Sequence, residues 1–490
     1  MYYPSKKEFV KLAKKANVVP VYREILGDTS TPVSAFQRLK NRHSYLLESV
    51  EGEEKIARFS FIGIEPSVIF KSKGDSVEIL RHGKVERFFT DSPLKEIAEI
   101  MSCFKPASVK GLPRFSGGFV GYAGYDTVRF FEDLPDENPD ELGMEDTVFM
   151  MADSQIIFDH STHKIKVVAN AYIDKQHGAY EKAIKKIDEI IGKLNRPVKK
   201  RRTLENKTKA LHKVQSNFTK REFEEAVKKA KKYIKAGDII QVVLSQRFHT
   251  KISCEPLDLY RALRSVNPSP YMFYLNFGDV KLIGSSPELL VRCENGVVET
   301  RPIAGTRPRG KSEEEDAALE AELLKDKKER SEHIMLVDLG RNDIGRVCKP
   351  GTVKVSEFMS VEKYSHVMHI VSNCRGRLAK GKDAYDVLIA AFPAGTVTGA
   401  PKIRAMEIID ELENTRRGPY AGAVGYFSFS GNMDTCINIR SILVKGKDAF
   451  IQAGAGIVAD SVPSKEYQET VNKAKAMIRA IEVAEKGLMK

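Results

Sequence analysis

Residues 299–309 read Glu-Thr-Arg-Pro-Ile-Ala-Gly-Thr-Arg-Pro-Arg, so a glycine turn stands beside a hydroxyl and three guanidinium groups. Such a segment can lodge a small polyanion, because arginine forks match carboxylate and phosphate oxygens two at a time. Alone, it also reads as a solvated surface loop. Two carboxylate pairs, Glu329 with Glu332 and Glu466 with Glu469, are spaced three apart, which puts each pair on one helical face. A hard cation such as Mg2+ is commonly held by one or two carboxylates plus oxygens of a bound acid. Glutamates on lysine-rich helices equally suit a solvated face. Arg440 lies within an apolar run that reads as a strand, where an unpaired guanidinium is costly; it belongs either to a structural ion pair or to a ligand site. His369, in another apolar run, is either an ordinary core histidine or a site residue. Gln241 sits in the β-branched run 239–244 and needs a partner or a ligand there.

The elements that carry these groups are partly legible. Thr219 and Glu222 have capping-box spacing, and Phe223, Ala226, Val227, Ala230, Tyr233 and Ile234 repeat at helical spacing up to Gly237. The run 239–244 then predicts a buried strand. Helices are also predicted over 179–194, 313–336, 384–391, 401–413 and 464–486. Strands are predicted over 271–277, 281–284, 288–293, 365–374, 423–429, 434–444 and 448–453. Their order is not the regular alternation of a doubly wound fold. The expected class is α+β, with large mixed or antiparallel sheets packed together and flanked by helices. Residues 196–215 open with Arg-Pro-Val-Lys-Lys-Arg-Arg and read as a basic linker between an N-terminal part, 1–195, and a C-terminal part, 216–490.

Composition narrows the function classes. A chain of 490 residues, 42% hydrophobic, can bury large cores. Its apolar stretches are shorter than the ~18 residues of a spanning helix, and its first residues lack the apolar core of a signal peptide. A cytoplasmic protein with no membrane partner is expected. Six cysteines stand singly, with neither zinc-site spacing nor disulfide density, which suits a reducing compartment. The formal charge of +13 is spread over helices together with glutamates, not gathered in one arm with aromatics, so nucleic acid is not an expected partner. Positive charge does steer an anionic small substrate. Residues 454–459 match the dinucleotide pattern Gly-x-Gly-x-x-Ala, but the next helix begins only near Ser464, so no helix N-terminus meets a pyrophosphate there.

The 299–309 segment is followed in order by Ser365-His366-Val367-Met368-His369, the run 392–402 (Phe-Pro-Ala-Gly-Thr-Val-Thr-Gly-Ala-Pro-Lys), Asp434-Thr435-Cys436-Ile437-Asn438-Ile439-Arg440 and Gln452-Ala453-Gly454-Ala455-Gly456-Ile457-Val458. In this order the motifs resemble the chorismate-binding enzymes, most closely the large subunits of anthranilate synthases. The resemblance implies an Mg2+-dependent enzyme in which Glu332 and Glu469 are the principal metal ligands and Glu329 and Glu466 complete the shell directly or through water. It implies that Arg440 and Tyr420 hold the enolpyruvyl carboxylate of chorismate, with Gly305, Thr306, Gly454, Ala455 and Gly456 lining the rest, the last three as a turn. Glu288 is the implied general acid, Thr396 a polar contact near the ring, and His369 an active-site group.

Two positions separate the branches of that family. Members that add water carry a lysine where this chain has Gln241, and the aminodeoxychorismate synthases carry a nucleophilic lysine where it has Ala304. The resemblance therefore implies amination of chorismate by ammonia and loss of pyruvate, giving anthranilate for tryptophan synthesis. Aminodeoxychorismate synthase component I and a non-catalytic tryptophan-sensing relative are the alternatives. No Gly-x-Cys-x-Gly turn occurs in the chain, so a separate glutamine amidotransferase subunit is the implied source of ammonia. Ser49, with Pro270, Tyr271 and Met272, matches the family's segments for L-tryptophan as feedback inhibitor, which makes the N-terminal part regulatory by resemblance.

Overall fold

The computed structural model describes residues 1–50, 58–81, 83–173, 178–197, 213–364 and 367–488. These residues build two large antiparallel sheets, one of 13 strands and one of 12. Successive side chains point to opposite sides of a strand, so the near-continuous apolar runs of the central strands give each sheet two apolar faces. The inner faces meet in a core that includes Tyr45, Phe61, Phe273 and Leu275 of the first sheet and Val120, Tyr122, Met150 and Tyr426 of the second. Phe115 and Tyr426 stack there with ring centroids 4.0 Å apart. The outer face of the first sheet is covered by helices Pro32–Leu39, Ala179–Leu194, Pro256–Val266 and Pro463–Lys486. The outer face of the second is covered by Pro93–Ser102, Lys327–Gly345 and Ala384–Ala391. The result is a four-layer α+β sandwich.

Both sheets run through both halves of the chain. Strand His43–Glu48 pairs with Tyr271–Phe277 in one, and Gly118–Ala123 pairs with Ala423–Ser428 in the other. The composition break near residue 196 thus divides the sequence but not the cores. Residues 198–212 of the expected linker lie outside the described residues, and Gln215–Ser216 already pairs with strand Gln241–Lys251.

Most predicted elements are present, the helices at 179–194 and 384–391 to the residue. Three expectations are corrected. The helix over 313–336 is two helices, Glu313–Lys325 and Lys327–Gly345. They meet at Asp326, whose carboxylate accepts from the amides of Lys328 and Glu329 as the N-cap of the second. The strand over 434–444 is also two, Met433–Ile437 and Ser441–Lys445, and they belong to different sheets. Arg440 is therefore not within a strand. It stands in the crossover between the sheets with φ +54°. An apolar run reports burial, and both pieces are buried; it does not report which sheet each joins. Lastly, residues 454–456 form no turn. They continue strand Asp448–Ile457, pairing with Ser245, Leu244 and Val243. The strand expected over 365–374 runs Val367–Arg377, and residues 365–366 lie outside the described residues.

Candidate active site

Next to the crossover at Arg440 the layers enclose a cavity of about 540 Å³. Helix Lys327–Gly345 brings Glu329 and Glu332 to it, and helix Pro463–Lys486 brings Glu466 and Glu469. Paired strands Ile303–Pro308 and Val367–Arg377 supply Ala304, Gly305, Thr306 and His369. Paired strands Gln241–Lys251 and Asp448–Ile457 supply Gln241, Gly454 and Gly456, while Glu288, Thr396, Tyr420 and Arg440 complete the wall. One expected contact is absent. Ala455 points to the opposite face of its strand, as the period of two requires, and packs with Val242, Leu244 and Ile408.

Three glycines let polar groups approach closely. A Cβ on Gly454 would lie 2.9 Å from the Tyr420 hydroxyl, and one on Gly456 would lie 2.5 Å from Gln241 Nε2. Gly305, at φ +66°, sits at a bulge opposite His369, and a Cβ there would lie 3.3 Å from Glu329 Oε2. The turned Gly305 carbonyl accepts from His369 Nδ1 at 2.9 Å, with Thr306 Oγ1 3.1 Å away. That bond fixes the proton on Nδ1 and leaves the Nε2 lone pair free. Burial, with the Arg440 charge, pulls the His369 pKa down, so the ring is neutral at pH 7.

Glu288 is the most perturbed acid in the cavity. Burial pushes its pKa up to about 8, against the smaller pull of the Thr396 hydroxyl and the Lys473 charge. Thr396 Oγ1 is itself buried and makes no well-formed hydrogen bond. Arg440 Nη1 donates to the Lys473 carbonyl at 2.8 Å. Burial lowers the Arg440 pKa; the Tyr420 phenol and the Glu469 carboxylate oppose this only at a distance. Burial also raises the Tyr420 phenol to about 12, so it stays a donor. Gln241 Nε2 donates to Glu332 Oε1 at 3.3 Å, and its own carbonyl oxygen is buried without a partner.

The acidic pairs have the donor chemistry of a hard divalent ion. Burial raises the Glu329 pKa, and repulsion from Glu332 raises it further. Burial also raises Glu466; the Ser461 hydroxyl pulls against it and the Glu469 charge adds to it. A cation held by these carboxylates would relieve both repulsions. Among the described residues no three His, Cys, Asp or Glu side chains stand close enough to hold an ion alone, so ligand and water oxygens would have to complete the shell, as Mg2+ prefers. The residues fit the ion on those terms.

Lys473 escaped the sequence reading. Its Nζ lies 2.7 Å from Glu469 and donates to the Gly454 carbonyl at 3.0 Å. The i,i+4 spacing from Glu469 was the available signal.

A second cavity, of about 270 Å³, lies between the sheets and gathers Ser49, Pro270, Tyr271 and Met272. Arg114, Arg292 and Asp434 also line it; Asp434 opens the motif 434–440, but no motif marked the two arginines. The buried Asp434 carboxylate accepts from Arg114 Nη2 at 2.7 Å, Arg292 Nε at 3.0 Å and the Tyr271 hydroxyl at 3.0 Å. Burial alone would raise its pKa; the two guanidinium groups more than reverse that and hold it below the ordinary value.

The model of the chorismate binding enzyme family matches residues 42–479. The chain is 54% identical to anthranilate synthase component 1 of Aquifex aeolicus, over 99% of this chain and 98% of the relative, and 49% identical to that of Acetivibrio thermocellus, over 99% of each. Its fold superimposes on the crystal structure of anthranilate synthase component I from Streptococcus pneumoniae with a TM-score of 0.77, at 40% identity, covering 92% of this chain and 98% of that one. The chain belongs to the chorismate binding enzyme family, in its anthranilate synthase component 1 branch.

Proposed function

We propose that the larger cavity aminates chorismate with ammonia and then expels pyruvate, producing anthranilate, the first step of tryptophan synthesis. The observation that carries this reading is Glu288, a buried carboxyl kept neutral at pH 7 beside a cluster of carboxylate-binding groups. Arg440 and Tyr420 take the enolpyruvyl carboxylate, with the Gly305, Thr306, Gly454 and Gly456 backbone around it. As ammonia attacks C2 of the ring, the C4 hydroxyl leaves with the proton of Glu288. The incoming nitrogen sheds a proton, and 2-amino-2-deoxyisochorismate results. His369 then accepts the C2 proton at Nε2 while the ring C3–O bond breaks; the ring becomes aromatic, and the departing enolpyruvate takes a proton on its methylene carbon to become pyruvate. When bound by Glu332 and Glu469, with Glu329 and Glu466 directly or through water, Mg2+ supplies positive charge at the ring carboxylate.

Gln241 offers no base to water, and Ala304 offers no nucleophile. Both favour ammonia as the attacking species, and the buried Gln241 carbonyl is an acceptor for its N–H. Burial raises the thiols of Cys254, Cys293, Cys348, Cys374 and Cys436, the opposite of what a nucleophilic cysteine needs, and the exposed Cys103 stands in no Gly-x-Cys-x-Gly turn, so the chain is read as holding no glutaminase chemistry of its own. Ammonia reaches the cavity from a separate glutamine amidotransferase subunit in the cytoplasm. The smaller cavity, walled by residues from both halves of the chain, is the site for L-tryptophan as feedback inhibitor. The N-terminal part, 1–195, is regulatory by resemblance but shares that cavity with residues 270–273, 292 and 434 of the part 216–490, which is otherwise catalytic, with 196–215 as the linker.

The test is to mix the purified chain with chorismate, Mg2+ and an ammonium salt at mildly alkaline pH and separate the products by chromatography. Ortho-aminobenzoate and pyruvate are expected. A 4-amino product, isochorismate or salicylate would overturn the roles of Ala304 or Gln241, and an absence of turnover would leave a tryptophan sensor.

A further inference from the structure

Two buried serines at the end of strand Val280–Ser286 touch the walls of both cavities. Ser285 Oγ accepts from Asn267 Nδ2 at 3.0 Å, lies 2.9 Å from Ser269 Oγ and also bonds the Asn267 carbonyl. Asn267 and Ser269 lead directly into residues 270–272, the wall of the smaller cavity. On its other side, Ser285 N donates to the Arg440 carbonyl at 3.1 Å. Ser286 Oγ donates to the Ile437 carbonyl at 2.6 Å and accepts from Glu288 N at 3.4 Å, while Ile437 N donates to the Glu288 carbonyl at 3.1 Å. Neither serine has any exposed surface. Their hydroxyls are closed off from bulk solvent and bonded to protein groups, so a displacement of the 267–269 segment is passed to those partners.

We infer that Ser285 is a positioning residue that couples the smaller cavity to Arg440, an inference that rests on reading that cavity as a tryptophan site. A ligand that shifts residues 270–272 draws Asn267 and Ser269 with it. Through the Ser285 hydroxyl and amide the shift reaches the Arg440 backbone, which is already held at positive φ in the crossover between the sheets. The neighbouring Ser286 ties the same strand end to Ile437 and the Glu288 amide. Ligation of one cavity thereby changes the affinity of the other, and thermodynamic linkage makes the effect reciprocal.

The test is calorimetric titration of tryptophan into the full chain with Mg2+, with and without chorismate; ammonia is omitted so that chorismate is not consumed. In the wild type, chorismate is expected to weaken tryptophan binding by about fivefold or more. In Ser285→Ala that factor is expected to fall below about twofold, with the affinity in the absence of chorismate kept within about threefold. Asn267→Ala removes the same link from its other end and serves if Ser285→Ala does not fold. The double variant is expected to add nothing, as partners in one link are not additive. An unchanged factor in both single variants overturns the coupling role, and so does loss of tryptophan binding by Ser285→Ala without chorismate. Absence of tryptophan binding by the wild type overturns the assignment of the cavity itself, a failure distinct from that of the link.

Discussion

Glu288 and Asp434 are both buried carboxyl groups, and the two cavities treat them in opposite ways. Glu288 has no cation in contact and keeps its proton to about pH 8. Asp434 is gripped by Arg114, Arg292 and Tyr271 and stays ionised below the ordinary carboxylate range. The arginines repeat the contrast: Arg440 is buried and lowered, whereas Arg292, with Asp434 beside it, is raised. Burial is therefore not what distinguishes a reacting site from a binding site in this molecule. The difference lies in whether the charge is already answered by protein. Where it is answered, the network shapes a rigid wall; where it is left open, a ligand must answer it, and the groups hold the protonation states that acid chemistry needs.

The sharpest way to break the contrast is Glu288→Gln, expected to lower kcat by about 10²- to 10⁴-fold, the range of a general acid, in ammonia-dependent turnover at pH 7.5. The same variant tests the linkage. A carboxyl whose folded pKa lies near 8 contributes stability that is fully present below the unfolded value of about 4.3 and lost as pH rises through 8. Thermal melts should therefore show Glu288→Gln gaining on the wild type between about pH 4.5 and 8, by a few kcal/mol. Asp434→Asn should destabilise at neutral pH by about 3–5 kcal/mol in urea unfolding, because two largely buried guanidinium groups lose the carboxylate they share and keep only the more exposed Glu294 and the more distant Glu299. Its pH dependence has the opposite sign: the Asp434 contribution is present above the unfolded carboxylate value and lost as pH falls through the depressed folded value, so acid should narrow the gap between the two proteins. Arg440→Ala should lower kcat/KM for chorismate by about 10- to 100-fold with the melt unchanged in form, the magnitude of a lost charge-assisted hydrogen bond; near-normal turnover would remove its assigned role. Ser49→Phe, which fills the smaller cavity, should raise the tryptophan concentration for half-inhibition by about tenfold with kcat retained. An identical inhibition curve would count against that cavity as the tryptophan site.

Much of this was legible in the sequence because the signals are local. The capping box at Thr219, the β-branched run around Gln241 and the i,i+3 glutamates each depend on residues within one turn or strand. Polar groups in apolar runs, Gln241 and His369 among them, announced a buried need for partners, and the structure puts them on one cavity. What the pattern could not give was any choice between distant partners. The break at Arg440 was invisible because two buried strands in different sheets have the same composition as one. The Gly-Ala-Gly segment looked like a turn because glycine serves turns and close approaches alike, and only the tertiary positions of Tyr420 and Gln241 tell them apart. Arg114 sits in a loop with no motif, 320 residues from Asp434 in the chain. Lys473 left only its i,i+4 spacing from Glu469 as a signal, and Ser285 acts through contacts to Asn267, Ser269 and the Arg440 carbonyl that no local spacing announces.

The protonation state of Glu288 tests the account most directly. Infrared difference spectra between wild type and Glu288→Gln, recorded from pH 5 to 10, report the carbonyl stretch of that single protonated carboxyl. The band should be present in the wild type at pH 7 and disappear with a midpoint near 8. A carboxylate signal already complete at pH 6 would contradict the account, leaving the C4 hydroxyl without its proton donor.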